Sequence, residues 1–260
     1  MVKVQCNRSR TLSYCLARFE ANSTKPAAWL TKPRVRGANL IGSYNLCMVT
    51  QPPETLPPTF PRLDPATPAF WDVRFAAEFT PWDRGGAPQN LRDFLAMSAN
   101  KPRKALIPGC GAAREVLAFA NAGWPVTAID FSSEAVAQAK SILGPQASLV
   151  EHGDFFNPNL ANEGFALVYE SAFLCALPPD RRDAWSAQIS RILPSGDAGG
   201  LLAGYFFFGE SPKGPPFGIS RPALLALLSP AFELVEDLEP HDSIAVFRGL
   251  ERWMVWCRRP

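Results

Sequence analysis

The chain has 260 residues, a 47% apolar share and a net charge of +2, enough to bury one substantial core. No apolar run approaches the roughly 18 residues of a membrane span; the longest, 201–208, is broken by Gly204 and suits a buried strand. The charge is uneven: eight basic residues before Met48 face Glu20 alone, giving +7 there and −5 on the rest, and a mildly acidic body argues against a large nucleic-acid footprint.

Residues 1–47 are Arg-rich, Ser-containing and acid-poor, the composition of a transit-type leader, yet they carry no continuous amphipathic helix. We read them instead as a poorly ordered basic extension upstream of a start at Met48, without a part in chemistry. Residues 48–68 hold seven prolines and read as an extended linker. The folded body then spans 69–260.

In that body the pattern predicts a short helix over 69–78, a loop over 79–87 and a helix over 88–99. Next come a strand at 104–108, a helix at 112–122, a strand at 125–130, a helix at 132–143 and a strand at 147–151. A fourth strand at 165–170, a helix at 179–193, a fifth strand at 200–207 and a helix at 221–229 follow. Two strands, 232–238 and 251–257, close the chain. Strands alternating with helices imply an α/β fold built on a mainly parallel, doubly wound sheet. Ser132 or Ser133 suits the cap of the helix at 132–143, and Pro178 and Pro179 suit the first turn of the next.

The most informative unit runs from Lys104 to Asp130. An apolar strand enters a turn with Gly109 and Gly111, a helical stretch follows, and a second strand ends on Asp130. Glycines let the backbone approach a ligand closely, and a carboxylate about 20 residues on can hydrogen-bond ribose hydroxyls. Arg114 stands where a dinucleotide fingerprint wants a third glycine. The unit is a nucleoside cradle, or at its plainest a tight turn packing a helix on a strand.

After the third strand come Gly153, Asp154, Phe155 and Phe156. A carboxylate beside an aromatic ring there can accept from an adenine amino group while the ring covers the base; the alternative is a turn cap and two core phenylalanines. Glu170 and Ser171 emerge from the fourth strand in the same row and are candidates for ligand contact. The six cysteines include no CxxC pair and only His152 and His241 offer imidazoles, so no zinc site is expected, and reduced, cytoplasmic thiols are the simplest reading.

With Phe70-Trp71-Asp72-Val73-Arg74-Phe75, Thr80-Pro81-Trp82-Asp83, Pro108-Gly109-Cys110-Gly111, the 153–156 segment, Glu170 to Leu177 and Pro215-Pro216-Phe217 in this order, the chain resembles the thiopurine S-methyltransferase family over about residues 69–257. The likeness is nearest to its thiol, halide and thiocyanate methyltransferase branch. It implies a class I, Rossmann-like fold with a seven-stranded sheet and an antiparallel last strand. It also implies S-adenosyl-L-methionine as cofactor and methyl transfer to a small soft nucleophile, most naturally sulfur. Trp71 and Trp82 would line the pocket, Gly109 and Gly111 sit against the methionine part, Asp130 lie at the ribose, and Asp154 with Phe155 at the adenine. The N-terminal helix and the Trp82 loop would close over the cofactor.

Two departures stand out: Phe75 where relatives often place tryptophan, and Ser171 where the halide-methylating branch often has tyrosine. Arg84, Arg181 and Arg182 are candidates to hold an anionic nucleophile, against the plainer reading of solvated surface charges. Cys110 and Cys175 read as small packing residues. No catalytic residue is assigned, because in-line methyl transfer chiefly requires alignment and exclusion of water. A nicotinamide-dependent oxidoreductase and a non-catalytic cofactor-binding protein are the alternatives. Expected partners are a small-molecule acceptor, with neither nucleic acid nor membrane, acting on a monomer. Thiopurine, aliphatic thiol, hydrogen sulfide, thiocyanate, iodide and selenium acceptors all remain open.

Overall fold

The computed structural model describes residues 58–98, 102–196, 199–209 and 213–260. The extension 1–47 and residues 48–57 of the linker lie outside them. In chain order the main elements are α1 (Pro68–Ala76), α2 (Gln89–Ser98), β1 (Ala105–Pro108), α3 (Val116–Asn121), β2 (Val126–Asp130), α4 (Ser133–Leu143) and β3 (Val150–His152). They continue with β4 (Leu167–Ser171), α5 (Arg182–Ile192), β5 (Leu201–Phe207), α6 (Arg221–Leu228), β6 (Phe232–Leu238) and β7 (Glu251–Arg258).

The seven strands form one sheet in the order β3-β2-β1-β4-β5-β7-β6. β1 is wholly buried and pairs in parallel with β2 (Ala105 opposite Val126) and with β4 (Ala105 opposite Leu167). A strand covered on both faces has no solvent side to be polar on, which is why ALIP is continuous rather than alternating. β7 runs antiparallel to both β5 and β6, the expected antiparallel ending. Gly204, the break in the longest apolar run, sits opposite Glu170, and a Cβ there would meet the Glu170 carbonyl oxygen at 1.9 Å. Its neighbour strand leaves room for hydrogen only.

Two apolar layers cover the sheet. One gathers Leu91, Phe94, Ile107, Val116, Phe119, Tyr169, Tyr205 and Trp253; the other gathers Leu106, Val168, Trp185, Ile189, Leu202, Leu224, Leu228 and Trp256. Adjacent strand residues such as Leu106 and Ile107 fall in opposite layers, as the period-2 geometry of strands demands. Each fully buried aliphatic side chain contributes about 1.5–3 kcal/mol relative to exposure. Ser132 caps α4 by accepting from Ala135 N–H at 3.1 Å, and Ser220 caps α6 in the same way.

Several boundaries differ from expectation; the helix foreseen from 179 begins at Arg182 after a 3₁₀ turn, Pro179–Arg181, so Pro178 and Pro179 lie before it. The helix foreseen over 112–122 begins only at Val116, because Gly111 and Ala113 adopt φ of +50° and +54° and keep the chain in turns. The third strand starts at Val150 because Pro145 opens a 3₁₀ turn, Gly144–Leu149. The described end of the linker is packed rather than free-running: Phe60 meets Phe79 at 5.5 Å between centroids and stacks under Arg74.

Candidate active site

The carboxyl ends of β1, β2, β3 and β4 open into a cavity of about 400 Å³, within the range of small-molecule sites. Its floor is the turn after β1. Gly109 has φ +57°, and a Cβ there would lie 2.3 Å from the Phe173 ring. Only glycine fits both constraints. Gly111 donates its N–H to Asp130 Oδ2 at 2.9 Å, and Ser132 N–H donates to Oδ1 at 2.9 Å. Asp130 is 6% exposed, and burial raises its pKa to about 6; the Ser132 and Gly111 bonds oppose that rise. An ionised carboxylate has about four acceptor sites, so each oxygen keeps a lone pair for a ligand hydroxyl.

One wall is aromatic. Trp71 and Trp82 meet edge to face at 5.5 Å, and Phe75 meets Trp82 at 6.0 Å. Trp71 donates its indole N–H to the Pro65 carbonyl at 2.9 Å. Asp72, beside it on α1, accepts from Ser132 Oγ at 2.6 Å and from Glu134 N–H, fastening α1 to the start of α4. Across the cavity Phe155 packs edge to face with Phe156 and Phe173, at 5.3 and 5.2 Å. Asp154 Oδ1 accepts from Phe156 N–H at 2.9 Å, so the turn cap weighed as the alternative exists, and the residue lines the cavity as well. Pro215 and Pro216 complete the rim, while Phe217 does not line it.

Of the residues singled out in the sequence, the cavity brings together Trp71, Trp82, Gly109, Gly111, Asp130, Asp154, Phe155, Ser171 and Arg181. Arg181 lies over the Phe156 ring at 4.4 Å. Three others are elsewhere. Glu170 points into the core, where Oε1 accepts from Phe173 and Leu174 N–H at 2.8 and 2.9 Å; burial raises its pKa to about 8. It shapes the turn carrying Phe173 rather than reaching the cavity. Arg84 is paired with Glu251, its side chain 7% exposed and stacked at 4.5 Å on Tyr205, so it is neither solvated nor at the main cavity. Burial opposes its charge and the Glu251 bond and charge outweigh that, raising its pKa. Arg182 donates to the Gly218 carbonyl at 2.8 Å and holds the loop after β5. Cys110 and Cys175 are both buried, as packing residues would be.

Several site residues escaped the sequence reading. Arg74, Phe131, Phe173 and Phe247 line the cavity, and Asp72 anchors its wall. Glu115, at the turn before α3, accepts from Ser171 Oγ at 3.2 Å. Its carboxyl is pushed up by burial, partly offset by a backbone bond, the Ser171 hydroxyl and the Arg84 charge. An acid immediately before an apolar helix was visible in the sequence; its turn toward the fourth strand was not.

A family model described as thiopurine S-methyltransferase matches residues 66–259. Thiocyanate methyltransferase 1 of Arabidopsis thaliana is 28% identical over 192 residues, covering 72% of this chain and 83% of the relative. Probable thiol methyltransferase 2 of the same plant is 28% identical over 191 residues, with the same 72% and 83% coverage. Among solved structures, the Burkholderia thailandensis 1,6-didemethyltoxoflavin-N1-methyltransferase, with bound S-adenosylhomocysteine, superposes with a TM-score of 0.60. It is 16% identical, over 78% of this chain and 94% of that one, a likeness of fold.

Proposed function

The chain belongs to the thiopurine S-methyltransferase family, and on that premise we propose that it moves the methyl group of S-adenosylmethionine onto the sulfur of a small thiol or thiopurine, or onto thiocyanate or a halide. The observation that carries the proposal is the joining of the glycine turn, Asp130 and the Trp71–Phe75–Trp82 wall around one cavity. The residues fit this cofactor: the Gly109 and Gly111 turn lines the cavity without side chains, Asp130 retains free lone pairs, and aromatic faces suit a cationic sulfonium.

S-adenosylmethionine supplies an electrophilic methyl group on a positively charged sulfur. The protein's part is to hold and to exclude. Gly109 and Gly111 admit close backbone approach, Asp130 takes the ribose hydroxyls, and Asp154 with Phe155 takes the adenine. Trp71, Phe75 and Trp82 close one side against water, so that acceptor and methyl donor are aligned in a dry cavity. Arg181, at the rim on Phe156, is suited to an anionic group of the acceptor.

The same reading includes a monomeric, cytoplasmic enzyme whose partner is a small molecule, without nucleic acid or membrane. In support, the region after residue 47 is acidic, and no helix among the described residues is long and apolar enough to cross a membrane. Purified protein with methyl-labelled S-adenosylmethionine and a panel of thiols, thiopurines, hydrogen sulfide, thiocyanate, iodide and selenium compounds tests the function. Labelled methylated product is expected from at least one sulfur acceptor; binding of the cofactor without transfer to any acceptor would overturn it.

A further inference from the structure

Resting on that reading of the site, we propose that Ser171 and Glu115 form a proton-accepting pair, so that the enzyme is built for thiols that arrive protonated rather than for acceptors that arrive as anions. Ser171 ends β4 and lines the main cavity. Its Oγ donates to Glu115 Oε1 at 3.2 Å. Behind the glycine turn a side cavity of about 50 Å³ is lined by Glu115 and Arg84, and it shares Phe75, Trp82, Gly109 and Ser171 with the main one. The pair therefore connects the reacting space to a carboxylate set back from it.

The surroundings suit proton acceptance. Arg84 faces Glu115 but is engaged with Glu251; Asp83 faces it too and is paired with Arg114 at 3.2 Å. The Tyr169 phenol, from β4, and the Cys110 thiol, from the glycine turn, are both pushed up, first by burial and in part by Glu115, and stay neutral near pH 7. Among the described residues Glu115 makes no ion pair of its own. A carboxyl whose pKa burial raises is a better match to a thiol than an ordinary one. A carboxylate this close would also repel an anionic nucleophile.

The proton balance is complete. As the thiol sulfur forms its bond to the methyl carbon, its S–H proton passes to Ser171 Oγ while the Ser171 hydroxyl proton passes to Glu115 Oε1. The methyl carbon's old bond breaks with its electron pair staying on the departing sulfur. A thioether, S-adenosylhomocysteine and a neutral Glu115 result, and the carboxyl then releases its proton to water. Ser171 touches the acceptor; Glu115 acts through it.

The test is a series of thiols with pKa from about 5 to about 10 at pH 7, with labelled cofactor, on the wild type, Glu115→Gln and Ser171→Ala. In E115Q, kcat/KM is expected to fall by about 100-fold for the least acidic thiols and by less than about fivefold for those already ionised, with recovery as pH approaches the thiol pKa. S171A should show the same pattern, and it decides the matter if E115Q does not fold. Independently of activity, infrared difference titration of the cofactor-free protein should show the Glu115 carboxyl titrating higher in S171A, because a donor to the carboxylate is lost. An equal loss across the series, no loss, or an unmoved titration would overturn the pair. Methylation of iodide or thiocyanate but of no thiol would sink this proposal and leave the methyltransferase reading standing; no transfer to any acceptor would sink that reading itself.

Discussion

Asp130 and Gly111, 19 residues apart, are joined by a 2.9 Å hydrogen bond in which the glycine N–H donates to the carboxylate that ends β2. The same carboxylate receives Ser132 N–H, so one buried charge sets both turns that face the cavity. Asp130→Ala removes the proposed ribose acceptor and frees both turns. We expect cofactor affinity to fall by tenfold or more, about 1.4 kcal/mol or greater, by calorimetry. Unchanged affinity would contradict the ribose role.

Gly109→Ala meets two penalties at once, a positive φ and a Cβ 2.3 Å from Phe173. Denaturant unfolding should show a loss of about 1–3 kcal/mol, and cofactor binding should weaken further as Phe173 is displaced into the cavity. Gly85, also at positive φ but with open space around it, is the control: G85A should cost only the backbone strain.

Glu170 gives the protein a pH dependence of stability. Its carboxyl pKa is about 8 in the fold against an ordinary 4.5, so the folded state holds a proton that the unfolded chain has lost. That contribution is complete below about pH 4.5 and disappears as pH rises through 8, so stability falls with pH across this window. Asp130 adds a smaller fall in the same direction between its ordinary 3.8 and about 6. Glu170→Gln keeps an oxygen for Phe173 and Leu174 N–H but cannot ionise. Melting curves from pH 5 to 9 should decline less steeply for E170Q than for the wild type; parallel declines would assign the dependence elsewhere.

The Arg84–Glu251 pair is buried beside the aromatic rings of Tyr205 and Phe247. Removing one partner strands the other charge. Arg84→Met should therefore destabilise by about 3–5 kcal/mol in denaturant unfolding, and Arg84→Met with Glu251→Met should recover most of it. Failure of the double variant to recover would mean that stacking on Tyr205, not charge pairing, dominates at this position.

Much of this architecture is legible in order along the chain. The apolar strands, the glycine turn, the terminal Asp130, the Ser132 cap and the antiparallel ending follow from local rules: period, turn chemistry and capping. The side chains that the sequence misassigned have a common cause. Along β4, Tyr169 and Ser171 share one face while Glu170 belongs to the other, and that second face is covered by the layer containing Val168 and Leu174. A carboxylate at the end of a strand is therefore near the site in sequence and turned away from it in space.

Arg84 and Arg182 carry a similar lesson. Their basic type suggested anion binding, yet each meets its partner from a distant segment, Glu251 on β7 and the carbonyl of Gly218. By itself the sequence determined the fold class, the glycine turn with Asp130 after it and the aromatic elements nearby, because those depend on contiguous spacing. Only the tertiary structure decided which charges face the cavity and which are consumed inside the protein, and it alone joined Ser171 to Glu115, 56 residues apart. The physical reason is that a buried polar group must find a partner wherever packing brings one, and that choice is made between segments rather than within them.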